Sequence, residues 1–242
     1  MNHLDHPTVS ARYFFPRRAP IVKPLVVQVP GAELHCWHRP AGEGKPTLLH
    51  FHGNGEVVAD YLGDFARAFT DAGWGVLLAE YRGYGGSTGT PQMITMLDDA
   101  VAVFDAAKLD PAQTVVYGRS VGSIYGLHVA FKRPVKALVL ESGIASPLER
   151  ILLRATPKEL GCTMDELEVE AAKHVDHAAK LAAYQGDVVV FHTVRDHMVD
   201  FHHAERLATW SGGDLVPLSP GDHNSILAYH LPAIVQRVLR LG

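Results

Sequence analysis

Cysteine is scarce: the 242 residues hold two, Cys36 and Cys162, far apart and in unlike surroundings. That excludes a disulfide-dense secreted scaffold and fits free thiols in a reducing compartment. Long apolar runs are missing too. No stretch reaches the roughly 18 residues needed to cross a bilayer. The opening MNHLDHPTVSARYFFPRRAP has no apolar run of secretory length, and its Arg and Pro follow the short hydrophobic patch instead of preceding it. A cytoplasmic location is expected by elimination. Charge of one sign is also lacking, with 22 Lys+Arg against 26 Asp+Glu and a net of −4. Such a balance offers no electrostatic footprint for nucleic acid. Internal repeats and low-complexity tracts are absent. With 47% hydrophobic and 20% charged residues the chain is too apolar for disorder, and it is long enough to bury one sizeable core without metal or disulfides.

What is present is a rhythm. Pro24 to Val29 and Glu33 to His38 predict an antiparallel pair around Pro30-Gly31. Short β-branched runs then alternate with segments of helical period. Strands are expected at Thr47 to Phe51, Gly75 to Glu80, Thr114 to Tyr117, Val135 to Glu141, Asp187 to His192 and Leu215 to Leu218. Between them Glu56 to Ala72, Met93 to Leu109 and Val121 to Lys132 carry apolar residues at helical spacing. This alternation implies right-handed crossovers and an α/β fold, a mostly parallel twisted sheet of about eight strands with helices on both faces. Ligands of such sheets sit beyond the carboxyl ends of the strands. We read 1–242 as a single domain, with its core over about 20–141 and 187–242. The interval 142–186 is longer than one crossover needs and is helical in pattern, which predicts a small helical lid.

Chemistry concentrates in Tyr117-Gly118-Arg119-Ser120-Val121-Gly122, a G-x-S-x-G string between a strand and a helix. So sharp a turn strains the central residue and leaves no room for side chains two positions to either side. Ser120 then projects at the amino end of a helix, where unpaired N–H groups favour negative charge. A serine nucleophile needs a base, and the base needs an orienting acid. The chain supplies them downstream: Asp196 after one predicted strand, His223 after the last. Asp200 is the rival acid, but it directly precedes a helical run and is expected to cap it. The backbone N–H groups of Asn54, in His52-Gly53-Asn54-Gly55, and of Val121 are nominated as the oxyanion hole. As main-chain donors, they should tolerate a side-chain change at Asn54. The histidine pairs His174/His177 and His202/His203 lack companions at metal-ligand spacing and are expected to be exposed polar residues.

Five segments recur as a set: HGNGE at 52–56, EYRGYGGSTGTP at 80–91, YGRSVGS at 117–123, LVLES at 138–142 and GDHN at 221–224. Together they resemble the α/β-hydrolase superfamily, in particular the branch of Bem46-like serine hydrolases and the depalmitoylases of the alpha/beta hydrolase domain-containing 17 type. The resemblance runs from about residue 20 to the end and leaves 142–186 unmatched. It implies Ser120 as nucleophile, Asp196 as acid, His223 as base and Asn54 with Val121 as oxyanion donors. His192-Thr193 stands where relatives usually have His-Gly. The palmitoyl substrate is not carried over, because no cysteine-rich amino-terminal segment is seen.

The expected function is therefore a serine hydrolase that cleaves a carboxylic ester or acyl thioester of a small-molecule substrate, needing no metal or organic cofactor. An aminopeptidase or amidase with the same triad would call for acidic groups near the pocket, for which Asp165, Glu166, Glu168 and Glu170 are available, although a solvated helix face explains them as well. A binding protein that keeps the fold without catalysis is the third possibility.

Overall fold

The computed structural model describes residues 2–242. Eight strands form one sheet: β1 (Leu25–Val29), β2 (Ala32–Arg39), β3 (Thr47–Phe51), β4 (Gly75–Ala79), β5 (Thr114–Arg119), β6 (Ala137–Glu141), β7 (Asp187–Thr193) and β8 (Asp214–Leu218). Their spatial order is β1-β2-β4-β3-β5-β6-β7-β8. The β1–β2 and β2–β4 pairings are antiparallel and every other pairing is parallel. The expected α/β sheet is thus observed. Its order reverses between β4, β3 and β5, and loops leaving β3 and β5 there open a crevice.

Both faces are apolar, as parallel strands require, and successive residues feed opposite layers. Leu48, Leu78, Val115 and Val139 pack against α2 (Asp64–Thr70) and α9 (Ile226–Leu239) through Phe65, Phe69, Ile234 and Val238. Leu49, Leu77, Val116 and Leu138 face the other layer, built from α3 (Thr95–Ala106), α4 (Gly122–Lys132) and α8 (His202–Ser211). The helix expected over Glu56 to Ala72 is divided into a 3-10 turn at Val58–Tyr61 and α2, with Gly63 at the break. The cause is local. The N–H of Val58 goes to Glu80 Oε2 (3.0 Å) and that of Val57 to Asp60 (3.1 Å), so the first donors are drawn out of a helical ladder.

Residues 142–186 hold α5 (Pro147–Leu152), a 3-10 turn at Pro157–Leu160, α6 (Met164–Val175) and α7 (His177–Ala183). Ser146, Thr163 and Asp176 cap the three α-helices through their side chains. α7 packs on α4 and α8, whereas α5 and α6 pack on each other. The amino-terminal segment adds to this side. Its helix α1 (Pro7–Tyr13) and the turn before it bury Leu4, Val9 and Tyr13. The Glu170 carboxylate accepts the N–H groups of His3 and Leu4 at 2.8 and 2.9 Å.

Two expectations about histidine need correcting. His177 and His203 are buried, not exposed. The helices that carry them dock on their neighbours, where His177 Nδ1 meets the Ile144 carbonyl at 2.9 Å and His203 Nδ1 accepts the Ala145 N–H at 3.2 Å.

Candidate active site

Ser120 follows the last residue of β5 and precedes α4, with φ at +50°. A non-glycine residue holds that conformation only when its surroundings fix it. Here its N–H donates to the Glu141 carbonyl (2.8 Å), while its carbonyl accepts the Ser123 N–H (3.0 Å) and hydroxyl (2.6 Å). The flanking glycines are required. A Cβ on Gly118 would stand 2.6 Å from Ser123 Cα, and one on Gly122 only 2.1 Å from the Phe51 carbonyl oxygen.

The loops after β7 and β8 bring the other two side chains to the same rim. His223 Nε2 lies 3.0 Å from Ser120 Oγ, and His223 Nδ1 lies 2.7 Å from Asp196 Oδ2. With Nδ1 facing a carboxylate, the ring proton belongs there, and Nε2 is left to accept the serine proton. Asp196 Oδ1 accepts the N–H groups of Met198 (2.9 Å) and Val199 (2.8 Å). Burial alone would raise the Asp196 pKa. The hydrogen bonds from His192 and His223 outweigh burial and hold the carboxyl below the usual carboxylate range. His192, at the His-Thr departure, points Nε2 at the Val199 carbonyl (2.8 Å) with Asp196 Oδ2 3.4 Å away, so it braces the acid's loop. Asp200 stays out of the site, its carboxylate exposed and accepting the His202 N–H at 3.0 Å.

A cavity of about 100 Å3 lies over Ser120 and is lined by both nominated oxyanion residues, Asn54 and Val121, and by His223. Among the described residues neither amide, of Asn54 or of Val121, has an acceptor in the protein. Hollows of about 420 and 430 Å3 open elsewhere, beside Phe131 and Lys132, and none of Ser120, Asp196 and His223 lines either. The Asn54 side chain is busier than expected. Its Oδ1 accepts the Phe15 N–H (2.9 Å) and the Tyr84 hydroxyl (2.8 Å), and its Nδ2 donates to the Tyr13 carbonyl. It clamps the amino-terminal segment, which supplies Tyr13 and Phe15 to the cavity wall.

Sequence reasoning passed over a buried ionic brace beneath the site. Arg119, next to Ser120, donates to Glu56 Oε1 (2.8 Å), Glu141 Oε1 (2.6 Å) and the His223 carbonyl (3.0 Å). Glu56 in turn accepts the Gly53 N–H and the Tyr61 hydroxyl, both at 2.6 Å. Burial would push the Glu56 carboxyl up, but Arg119 foremost and these donors bring it down to about 2. One guanidinium thus ties the loops after β3, β5, β6 and β8. The available signal was an arginine at the end of an apolar strand, where an unpaired charge is prohibitive.

As for metals, Glu149, His202 and His203 bring ligand atoms within 4.8 Å of one another. Arg206 already engages both Glu149 oxygens, at 3.0 and 3.3 Å, and His203 Nδ1 is taken by Ala145. His202 Nδ1 lies 2.8 Å from Asp200 Oδ1, so each of the three already has a protein partner for at least one of its ligand atoms.

Residues 42–199 match the family model Hydrolase_4, described as serine aminopeptidase, S33. An uncharacterized protein of Mycobacterium tuberculosis is 32% identical over 145 residues, covering 52% of this chain and 51% of that protein. Human alpha/beta hydrolase domain-containing protein 17B is 26% identical over 195 residues, covering 76% of this chain and 62% of its own length. The chain therefore spans between about half and three fifths of these curated relatives. Among solved structures, an esterase from Exiguobacterium antarcticum superposes with a TM-score of 0.68 at 16% identity, over 89% of this chain and 97% of that one. The family match spans well over half of the chain and agrees with the sheet order, so the protein belongs to the serine aminopeptidase S33 (Hydrolase_4) family, within the α/β-hydrolase superfamily, and resembles its alpha/beta hydrolase domain-containing branch.

Proposed function

We propose that this hydrolase cleaves a carboxylic ester or acyl thioester through an acyl-enzyme on Ser120. The observation that carries the proposal is the continuous chain Asp196–His223–Ser120, at 2.7 and 3.0 Å, ending beside two unengaged backbone amides. Ser120 Oγ attacks the carbonyl carbon as His223 Nε2 takes its proton. Negative charge on the carbonyl oxygen is met by the N–H groups of Val121 and Asn54, a contribution typically worth 10²–10³ in turnover per donor. His223 passes the proton to the leaving group, then activates the water that releases the acid. Asp196 holds the imidazole tautomer and stabilises the imidazolium throughout. Ile144, Arg150 and Arg154, in and beside α5, line the cavity, which supports reading the first part of 142–186 as a lid.

Aminopeptidase chemistry, which the family description suggests, would need an anion to hold a free amine. Among the described residues, none that lines the cavity is a carboxylate. Of the acidic residues in the α6 segment, Glu170 is engaged by His3 and Leu4 and Glu166 by Thr163. Esters are thus favoured over peptides. The test is labelling with a fluorophosphonate probe, followed by a panel of p-nitrophenyl esters from acetyl to palmitoyl. Labelling and ester turnover that both vanish in Ser120→Ala support the proposal. A wild-type protein that is folded yet neither labels nor turns over any ester would leave a binding protein instead.

A further inference from the structure

The cavity over Ser120 is apolar along Tyr13, Phe15, Ile144, Met198 and Val199, and the full charges in its wall are two arginines, Arg150 and Arg154. They lie four residues apart, on α5 and just past its end, which sets them on one side of the segment. Like charges at that spacing cost stability, so the pair is not explained as a fold-stabilising device. The acids that could neutralise them are committed elsewhere. Glu149, adjacent to Arg150, goes to Arg206 at 3.0 Å, and Glu159 goes to Arg12 at 2.8 Å. Among the described residues neither Arg150 nor Arg154 has a carboxylate partner. Both guanidinium fields reach the buried Tyr13 phenol in the same wall. Burial drives that phenol's pKa upward, and Arg150 and then Arg154 pull against it.

We propose that Arg150 and Arg154 select substrates bearing an anionic oxygen group, a carboxylate or phosphate, a short distance from the scissile carbonyl. This rests on the serine-hydrolase reading and names the substrate class for it. Guanidinium forks match both oxyanions with two parallel hydrogen bonds. Arg150 is half-buried and Arg154 exposed, so the bonds are charge-assisted yet partly screened by solvent, with Arg150 contributing the more. About 100 Å3 is also well below the roughly 300–1,000 Å3 of sites for drug-sized ligands, so the acyl group is short and the anion is near. An ammonium group at that position would be repelled.

Three matched sets of esters locate the anion. Mono-p-nitrophenyl glutarate against p-nitrophenyl butyrate places a carboxylate on the acyl side. 4-Acetoxybenzoate against its methyl ester places it on the leaving group, and 4-acetoxyphenyl phosphate replaces it by phosphate. An ammonium control is p-nitrophenyl 4-aminobutyrate. Wild-type enzyme should prefer at least one anionic ester over its neutral match by about 10- to 100-fold in kcat/KM, chiefly through KM. The ammonium ester should be the poorest of the set, and added salt should shrink the preference. In Arg150→Gln/Arg154→Gln the anionic-to-neutral ratio should fall towards one, with fluorophosphonate titration of Ser120 reporting the fraction of intact sites. Enzyme that labels and turns over neutral esters without preferring any anionic one overturns the substrate class alone, as does a preference that survives the double variant. Absence of both labelling and turnover overturns the hydrolase reading and this one with it.

Discussion

Asp196 shows how one carboxylate can close a loop and still present an oxygen to a histidine. Its Oδ1 closes the loop onto Met198 and Val199 while Oδ2 is kept for His223. Replacing it with Asn leaves the shape but lets an amide face Nδ1, which favours the wrong imidazole tautomer. On the proposed mechanism Asp196→Asn should cut ester kcat by about 10⁴ with little change in KM. Unchanged kcat would remove Asp196 from the mechanism. That Asp196, His223 and Ser120 would meet was legible in the sequence because each falls in a loop beyond the carboxyl end of a strand. Arg119 was not, since a motif written G-x-S-x-G makes no demand on its second position. Its guanidinium is held by Glu56 and by Glu141, which is itself fully buried. Arg119→Met should therefore destabilise the fold by about 3–5 kcal/mol, because it strands a buried carboxylate. Urea denaturation monitored by tryptophan fluorescence would read this, and a loss under about 1 kcal/mol would mean the brace is replaceable by solvent.

Elements were predictable where hydrophobic period and length agreed, and slipped where side chains competed for backbone donors. Thr47–Phe51 matches β3 to the residue because a five-residue apolar run buried on both faces has no alternative register. The helix expected from Glu56 failed because Glu80, on a different element, and Asp60, within the segment, take the N–H groups of Val58 and Val57, a side-chain competition that hydrophobic period does not register. The amino-terminal segment was hidden for the same reason. Its place depends on Asn54, which fixes Tyr13 and Phe15 by side-chain bonds, and on Glu170, which binds His3 and Leu4. Backbone amides alone would make Asn54 replaceable, yet its carboxamide joins the loop after β3 to α1. Asn54→Ala should cost about 1–3 kcal/mol by leaving the Tyr84 hydroxyl without its acceptor and the Tyr13 carbonyl without the Nδ2 donor, while the Phe15 N–H keeps the Tyr84 oxygen. It should also speed proteolytic cleavage within residues 2–19 under native conditions, since that segment loses its tie to the core. Equal cleavage in variant and wild type would mean that packing of Leu4, Val9 and Tyr13 holds the segment unaided.

Across the whole molecule, the buried titratable groups set a pH window for stability. On the acid side His177, fully enclosed under α4 and α8, is pushed down to about 3, by burial first and then by Lys180. His128 is lowered to about 3 and His203 to about 4, again mainly by burial. A depressed folded pKa means that the unfolded chain binds the proton more readily. Their contribution is whole above the ordinary histidine value of about 6.5 and is lost as pH falls through the folded values, at about 1.4 kcal/mol per histidine per pH unit. Glu56 follows the same sign lower down, intact above its ordinary carboxylate value and lost towards about 2. His52 has the opposite sign. Both its ring nitrogens face acceptors, Glu80 Oε1 at 2.7 Å and the Gly53 carbonyl at 2.8 Å, which the imidazolium alone can satisfy. Burial opposes that charge, but Glu80 prevails and raises the pKa, so this contribution is whole below about 6.5 and is lost as pH rises through the folded value. Thermal unfolding from pH 4 to 9 should therefore fall away on the acid side from about pH 6.5, before ordinary carboxylates begin to titrate. His177→Gln should flatten that acid limb without moving the alkaline one, and His52→Gln should do the reverse. An acid limb that starts only near pH 4 would mean that the buried histidines take up protons in the folded state, contrary to the enclosure described for them.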